Sequence, residues 1–291
     1  MRDRLALFVN PAAAGGRAAR TLPVVRDELD RLRASYRLMD TRSLDHAREQ
    51  ALEAAAQDET VVAIGGDGLV GCLAGALMNT DSALGIVRAG CGNDFARVLG
   101  IPQDPIQAAR LVVGGDERLV DVGDVNGHAF VGIASVGFDS EANQLANETR
   151  LVSGDLVYLY AGIRTLATWK HATFEVVVDG ERHSVTGYGV AVANSKAYGG
   201  GMYLVPHAEL DDGRLDIMLS GADSKLHHLT LAAKVFKGAH VDDPGFRWLS
   251  GAEIEVSANR PFTMYADGDP IADLPVTLRV SKQALRVIAP S

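Results

Sequence analysis

Residues 60–68 read Thr60-Val61-Val62-Ala63-Ile64-Gly65-Gly66-Asp67-Gly68, a β-branched apolar run that breaks directly on a glycine cluster around one aspartate. Val, Ile and Thr favour a strand, and glycines at its end let the backbone approach a ligand closely. A helix read from about Leu69 to Met78 then presents unpaired N–H groups to an anion. The outline is that of a phosphate cradle. No Gly-Lys-Ser/Thr follows, so it is not a Walker loop, and the spacing is not a dinucleotide fingerprint. A tight strand-to-helix turn is the alternative this stretch leaves open by itself.

The same unit recurs on both sides. Strands are expected at Leu5 to Val9, Tyr36 to Asp40, Leu84 to Arg88 and Arg118 to Val122. Leu22, Val25, Leu29 and Leu32 share one helix face between the first two, and Asp45 to Gln57 forms an Ala-rich helix before the third. Strands alternating with helices build an open α/β domain on a parallel sheet. A second glycine cluster, Gly90-Cys91-Gly92-Asn93-Asp94, ends the strand at 84–88, and Asn10-Pro11 leads to Gly15-Gly16 after the first strand. These loops open at one sheet edge, where α/β folds bind ligands.

Beyond Gly123 the texture changes to polar–apolar alternation, at Thr173 to Val178, Glu181 to Val185, Tyr188 to Ala193, Arg214 to Leu219, Glu253 to Ser257, Phe262 to Ala266 and Val276 to Val280. Asp179-Gly180 is a two-residue hairpin signal. Helices are expected at Gly154 to Lys170 and Ser224 to Gly238. The predicted fold is an α/β domain over 1–123 followed by a mainly antiparallel β-sandwich over 124–291, whose final strand can return to the first domain. The 291 residues match two domains at roughly 150 residues each.

Lys and Arg number 28 against 37 Asp and Glu, a net charge of −9 that argues against a nucleic-acid partner. Cys72 and Cys91 are the only cysteines, which supplies no cysteine-rich metal framework and suits a reducing cytoplasm. No secretory h-region is visible, and the apolar run Leu156 to Ile163 falls well short of the ~20 residues that span a bilayer. Adjacent His227 and His228 splay apart on a helix and read as surface residues rather than metal ligands.

Asn10-Pro11 with Gly15-Gly16, then Gly65-Gly66-Asp67-Gly68, then Gly90-Cys91-Gly92-Asn93-Asp94-Phe95-Ala96 resemble the diacylglycerol kinase catalytic-domain family. By pattern the chain is most similar to its bacterial soluble lipid kinases, which resemble sphingosine and ceramide kinases. The likeness extends to Asp121, to Gly137-Phe138-Asp139, to the stretch from Pro206 to Asp216, and to Asp267-Gly268-Asp269. Gly-Gly-Asp-Gly alone is shared with NAD kinases; its combination with Gly-Asn-Asp-Phe is specific.

The resemblance implies an ATP- and Mg²⁺-dependent kinase acting on a lipid hydroxyl, by default diacylglycerol to phosphatidic acid. ATP would lie against Asn10, Thr41, Gly65, Gly66, Asp67, Gly68, Cys91, Gly92, Asn93 and Asp94. Asp67 and Asp121 would face the catalytic Mg²⁺, Asp269 would be the base for the lipid hydroxyl, and Asp267 its auxiliary. Glu209, Asp212 and Arg214 match the position of a structural Mg²⁺. For each aspartate a cap or turn role is the alternative. The chain departs from the family at Leu69 and Cys72, which replace Thr and Glu, and at Arg88, Ala89, Gly90 and Cys91, which replace Pro-Leu-Gly-Thr. The shared glycine loop keeps open a soluble-metabolite kinase of NAD-kinase type, and Leu69, Cys72 and Cys91 keep open a non-catalytic lipid- or nucleotide-binding homologue.

The implied setting is cytoplasmic, with a membrane lipid as substrate and peripheral membrane contact during turnover; a homodimer is left open. Tyr158, Leu159, Tyr160, Ile163, Leu166 and Trp169, with Arg164 and Lys170, suit an interfacial helix. A helix that simply covers the β domain is the competing expectation.

Overall fold

The computed structural model describes residues 4–10, 15–39, 41–149 and 156–290. Pro11, Asp40 and the start of the helix expected from Gly154 lie outside the described residues. The first domain runs β1 (Arg4–Val9), α1 (Arg17–Arg31), β2 (Ser35–Met39), α2 (Leu44–Ala56), β3 (Thr60–Gly65), α3 (Asp67–Leu77), β4 (Ala83–Arg88), α4 (Asp94–Val98) and α5 (Pro105–Gly114). β1 pairs in parallel with β2 on one side and β3 on the other, and β3 pairs in parallel with β4. The order β2-β1-β3-β4 changes direction between β1 and β3, which makes the C-terminal ends of those two strands the expected ligand crevice.

Both faces of this sheet are covered at its centre, so its inner strands are apolar, Leu5 to Val9 and Val61 to Ile64 being buried, while the edge strand β2 is largely exposed. Val25 and Leu29 of α1 are buried against it, with Leu22 and Leu32 packed beside them. α2 contributes Ala47, Ala51 and Ala54. Its start is fixed by Ser43, whose hydroxyl accepts the His46 N–H at 3.1 Å. α5, which has no counterpart among the expected helices, begins with Pro105 at its first turn and Asp104 accepting the Gln107 N–H at 2.8 Å.

β5 (Asp116–Val125) is not the fifth parallel strand the sequence predicts. It runs antiparallel to β17 (Val276–Ala289), which lies between β5 and β4 and pairs in parallel with β4 at Arg286 and Val287. The cause is polarity. Leu285, Val287, Ile288 and Ala289 suit a strand buried on both faces, whereas the exposed Asp116, Glu117 and Arg118 suit an edge. The chain's last strand thereby stitches the two domains together.

The second domain comprises β6 (His128–Phe130), β7 (Ile133–Gly137), α6 (Phe138–Glu148), α7 (Leu156–Thr168), β8 (Ala172–Val178), β9 (Glu181–Ala193), β10 (Ala197–Tyr198), β11 (Met202–Tyr203), β12 (Leu215–Gly221), α8 (Lys225–Val235), β13 (Phe246–Gly251), β14 (Glu253–Ala258), β15 (Thr263–Ala266) and β16 (Asp269–Asp273). β9 pairs with β8 along its first half and with β7 and β12 along its second, so one strand serves both layers. Phe174, Val176, Val190, Ile217, Ile254 and Met264 fill the space between them. Asp179 and Gly180, both with positive φ, make the expected hairpin turn.

Two readings of this domain are corrected. Trp169 is only 4% exposed, with its ring against Tyr188, Phe138 and Phe262, so it belongs to the core of the sandwich rather than to a lipid interface. His228 is not a surface residue: it stacks on Tyr188 at 3.7 Å, and burial pulls its imidazole down to about 4. Among the described residues no helix is long and apolar enough to cross a membrane.

Candidate active site

At the β1/β3 crevice an open cleft of about 260 Å³ is lined by Asn10, Leu44, Gly66 to Leu69, Gly90 and Cys91. Its floor is a backbone contact between the two glycine loops. A Cβ built on Gly90 would stand 2.3 Å from the Gly66 Cα, so no side chain fits between them. Gly66 caps α3 without a side chain, which leaves N–H groups of the first turn facing the cleft. Asn93, at positive φ, locks Gly90 from both sides: its Oδ1 accepts the Gly90 N–H at 2.9 Å and its Nδ2 donates to the Gly90 carbonyl at 2.9 Å. Arg17 donates to that same carbonyl at 2.6 Å.

Asp67 binds the second loop rather than standing free in the first. Its Oδ2 accepts the Asn93 N–H at 2.6 Å and its Oδ1 the Asp94 N–H at 2.7 Å, closing the start of α4. Gly92 lies against the same carboxylate, where a Cβ would meet Oδ2 at 2.7 Å. Gly65 is the last residue of β3, its carbonyl accepting the Ala89 N–H at 2.8 Å. Thr41 donates to the Val9 carbonyl at 3.2 Å beside Asn10.

Asp94 crosses to the second domain, its Oδ2 accepting the Gly200 N–H at 2.8 Å. Burial, with the Asp67 charge in support, pushes its carboxyl above the usual range. Its Oδ1 is buried with no partner at hydrogen-bond distance. Arg88 and Arg97 stand close by, donating to the Ile101 and Gly92 carbonyls, and the Nε of each is likewise buried without a partner. Arg97 carried no signal beyond its place four residues after Asn93, so the sequence did not mark it as functional.

The wall opposite is the hairpin Ala266 to Asp269, a turn with positive φ at both Asp267 and Gly268. Asp267 points inward. Its Oδ2 accepts the Val131 N–H at 2.9 Å, and its Oδ1 accepts Gly132 at 2.9 Å and Ile133 at 3.2 Å. Burial still raises its carboxyl to about 6, with the Asp67 charge adding to the effect. Asp269 is exposed at the start of β16. Asp139, quoted in its motif but given no role by the sequence, lies nearby: burial lifts its carboxyl to about 6. Burial, with both aspartates adding to it, raises the Tyr198 hydroxyl, which accepts a hydrogen bond from Asn143.

Asp121 is placed elsewhere. It is fully buried, its Oδ2 accepting the Gly213 N–H at 2.6 Å and its Oδ1 the Gln283 N–H at 2.7 Å. It braces β17 and the 210–213 loop. Asp212 accepts the Arg214 N–H at 2.9 Å, the Arg214 guanidinium donates to Ser250 at 2.9 Å, and Glu209 is exposed. Among the described residues no three carboxylate, imidazole or thiol groups converge as a metal cage. Mg²⁺ prefers one or two carboxylates together with substrate phosphates and water. The orphaned Asp94 Oδ1 beside Asp67 fits that arrangement.

At the departures from the family pattern, Leu69 is buried against Gly65, and Cys72 donates from Sγ to the Leu44 carbonyl at 3.2 Å, tying α3 to α2. Neither cysteine is in a disulfide.

Residues 4–125 match the diacylglycerol kinase catalytic domain, and residues 132–289 match the YegS C-terminal NAD kinase beta sandwich-like domain. A diacylglycerol kinase of Mycobacterium tuberculosis is 36% identical over 239 residues, covering 80% of this chain and 77% of its own. The "Probable lipid kinase YegS-like" of Pseudomonas aeruginosa is 30% identical over 300 residues, covering 100% and 95%. In fold, the crystal structure of a diacylglycerol kinase from Bacillus anthracis superposes with a TM-score of 0.77 at 21% identity, covering 99% of this chain and 97% of the other.

Proposed function

The chain belongs to the diacylglycerol kinase catalytic-domain family, and from that membership we propose a lipid kinase that transfers the terminal phosphoryl group of ATP, with Mg²⁺, to a lipid hydroxyl. Diacylglycerol is the acceptor we assign, giving phosphatidic acid. The observation that carries this proposal is the contact of Gly66 with Gly90, locked by Asp67 and faced across the cleft by the Asp267 hairpin.

Phosphoryl transfer needs donor and acceptor held in line and the developing charge neutralised. The N–H groups at the start of α3 receive phosphate oxygens, and Arg88 and Arg97 add cationic donors. Asp94, with Asp67 beside it, would hold a Mg²⁺ ion, which would supply neutralisation of the charge on the transferred group. Asp269 accepts the hydroxyl proton as the new O–P bond forms and ADP departs. Asp267 fixes the hairpin that carries Asp269. The protein works in the cytoplasm and meets the bilayer peripherally.

The test is incubation with labelled ATP, Mg²⁺ and a total lipid extract, followed by identification of whatever carries the label. Labelled phosphatidic acid supports the proposal. A labelled soluble metabolite identifies an NAD-kinase-type activity instead, and absence of any labelled product identifies a binding homologue.

A further inference from the structure

α8 is apolar on two opposite faces. Ser224 caps it, accepting the His227 N–H at 3.2 Å, and Leu231 and Val235 are buried against the sandwich beside the His228 ring. On the other side Leu226 is 74% exposed, Leu229 49%, and Phe236, which continues the helical turn, 55%. At about 100° per residue these three fall within an arc of roughly 80°. A surface helix ordinarily carries one apolar face, turned to the core, and a polar face opposite it. Here the sandwich covers only one side.

Charge says what covers the other. Residues 224–238 hold Lys225, Lys234 and Lys237 and no acidic residue, in a chain of net charge −9, while His227 pairs with Asp243 at 3.0 Å and the His228 ring lies on the buried side. Lys225 and Lys237 flank the apolar arc on its two edges. Lys234 turns inward toward Asp243 at 3.7 Å. Lys225 also donates to the Ala167 carbonyl at 2.7 Å, which ties α8 to the end of α7, a helix that carries another exposed apolar residue, Ile163, near its middle. An apolar stripe edged by lysines suits the boundary between acyl chains and anionic headgroups. We propose that the outward face of α8 docks this protein on an anionic lipid bilayer, with Leu226, Leu229 and Phe236 entering the interface. The bilayer as occupant rests on the lipid-kinase proposal, and the location is α8 rather than the aromatic segment ending at Trp169.

Co-sedimentation with phosphatidylcholine vesicles, with and without phosphatidylglycerol, tests it in the absence of ATP. Wild type is expected to partition onto the anionic vesicles and to leave them as salt rises. Leu226→Ser, Leu229→Ser and Phe236→Ser combined should weaken that partition by about tenfold or more, with an unchanged thermal midpoint and unchanged phosphorylation of a short-chain acceptor in solution. Lys237→Glu, which opens no packed contact, should weaken binding to anionic vesicles alone. Equal partition of wild type and both variants overturns the docking face, as does a wild-type dimer that the triple variant converts to a monomer. Vesicle binding that depends on α8 in a protein that phosphorylates no lipid would refute the kinase assignment and keep the docking face.

Discussion

The Asp67 carboxylate accepts the backbone N–H of Asp94 at 2.7 Å, so an acidic residue of the first glycine loop caps the helix that follows the second. Truncation should therefore have two effects. Asp67→Ala is expected to abolish phosphoryl transfer and also to lower stability by about 1–3 kcal/mol, because the Asn93 and Asp94 N–H groups lose their acceptor. Thermal unfolding and ATP turnover measured on the same preparation check both; turnover at the wild-type rate would remove Asp67 from the site.

The contact of Gly66 with Gly90 predicts a sharper separation of affinity from stability. Gly90→Ala forces a Cβ to within 2.3 Å of the Gly66 Cα and must part the loops. Nucleotide affinity should fall by roughly tenfold or more, as expected when a cradle that needs close backbone approach is spread. Titration with a non-hydrolysable ATP analogue reads this directly, and unchanged affinity would show that the loops do not hold phosphate.

How much of this the sequence revealed depended on whether the signal was local. The glycine loops were legible at 65–68 and 90–94 because a strand breaking on glycines is a short-range pattern. Asp121 was not, since its partners Gly213 and Gln283 lie far along the chain and an aspartate in a strand looks the same whether it braces backbone or faces a cation. The insertion of β17 between β4 and β5 was only half legible: the return of the final strand to the first domain was expected, but residues 284–289, apolar except for Arg286, would suit any buried strand and do not say which neighbours it pairs with. His228 failed for a related reason, because adjacency on a helix says that two side chains diverge but not which one the sandwich covers.

The hairpin that carries Asp267 and Asp269 separates a positioning role from a chemical one. Asp269 is exposed, so Asp269→Asn should leave stability within about 0.5 kcal/mol of wild type while lowering turnover about 10²-fold, the effect of a lost general base. Asp267→Asn turns an amide N–H toward backbone donors that the carboxylate now satisfies, and should cost about 1–3 kcal/mol as well as activity. Steady-state kinetics with urea unfolding distinguish the two. An Asp269→Asn enzyme with wild-type turnover would transfer the proton-accepting role to Asp267.

Asp139 offers a test in which loss of a charge strengthens the fold. Burial lifts its carboxyl from an ordinary value near 3.8 to about 6, so the folded state holds its proton more tightly than the unfolded chain does. The resulting stabilisation is complete below pH 3.8 and is lost as pH rises through 6. Above that range the folded protein carries a desolvated carboxylate at a cost of up to about 3 kcal/mol. Asp139→Asn removes the ionisation and keeps the shape. The variant should therefore match wild type near pH 4 and exceed it in unfolding free energy at pH 8, with the difference opening between those values. Urea titrations across the range measure the difference directly. A variant equally destabilised at both ends would mean that the Asp139 carboxylate is held by partners that favour its charge, and would reverse the sign assigned to it here.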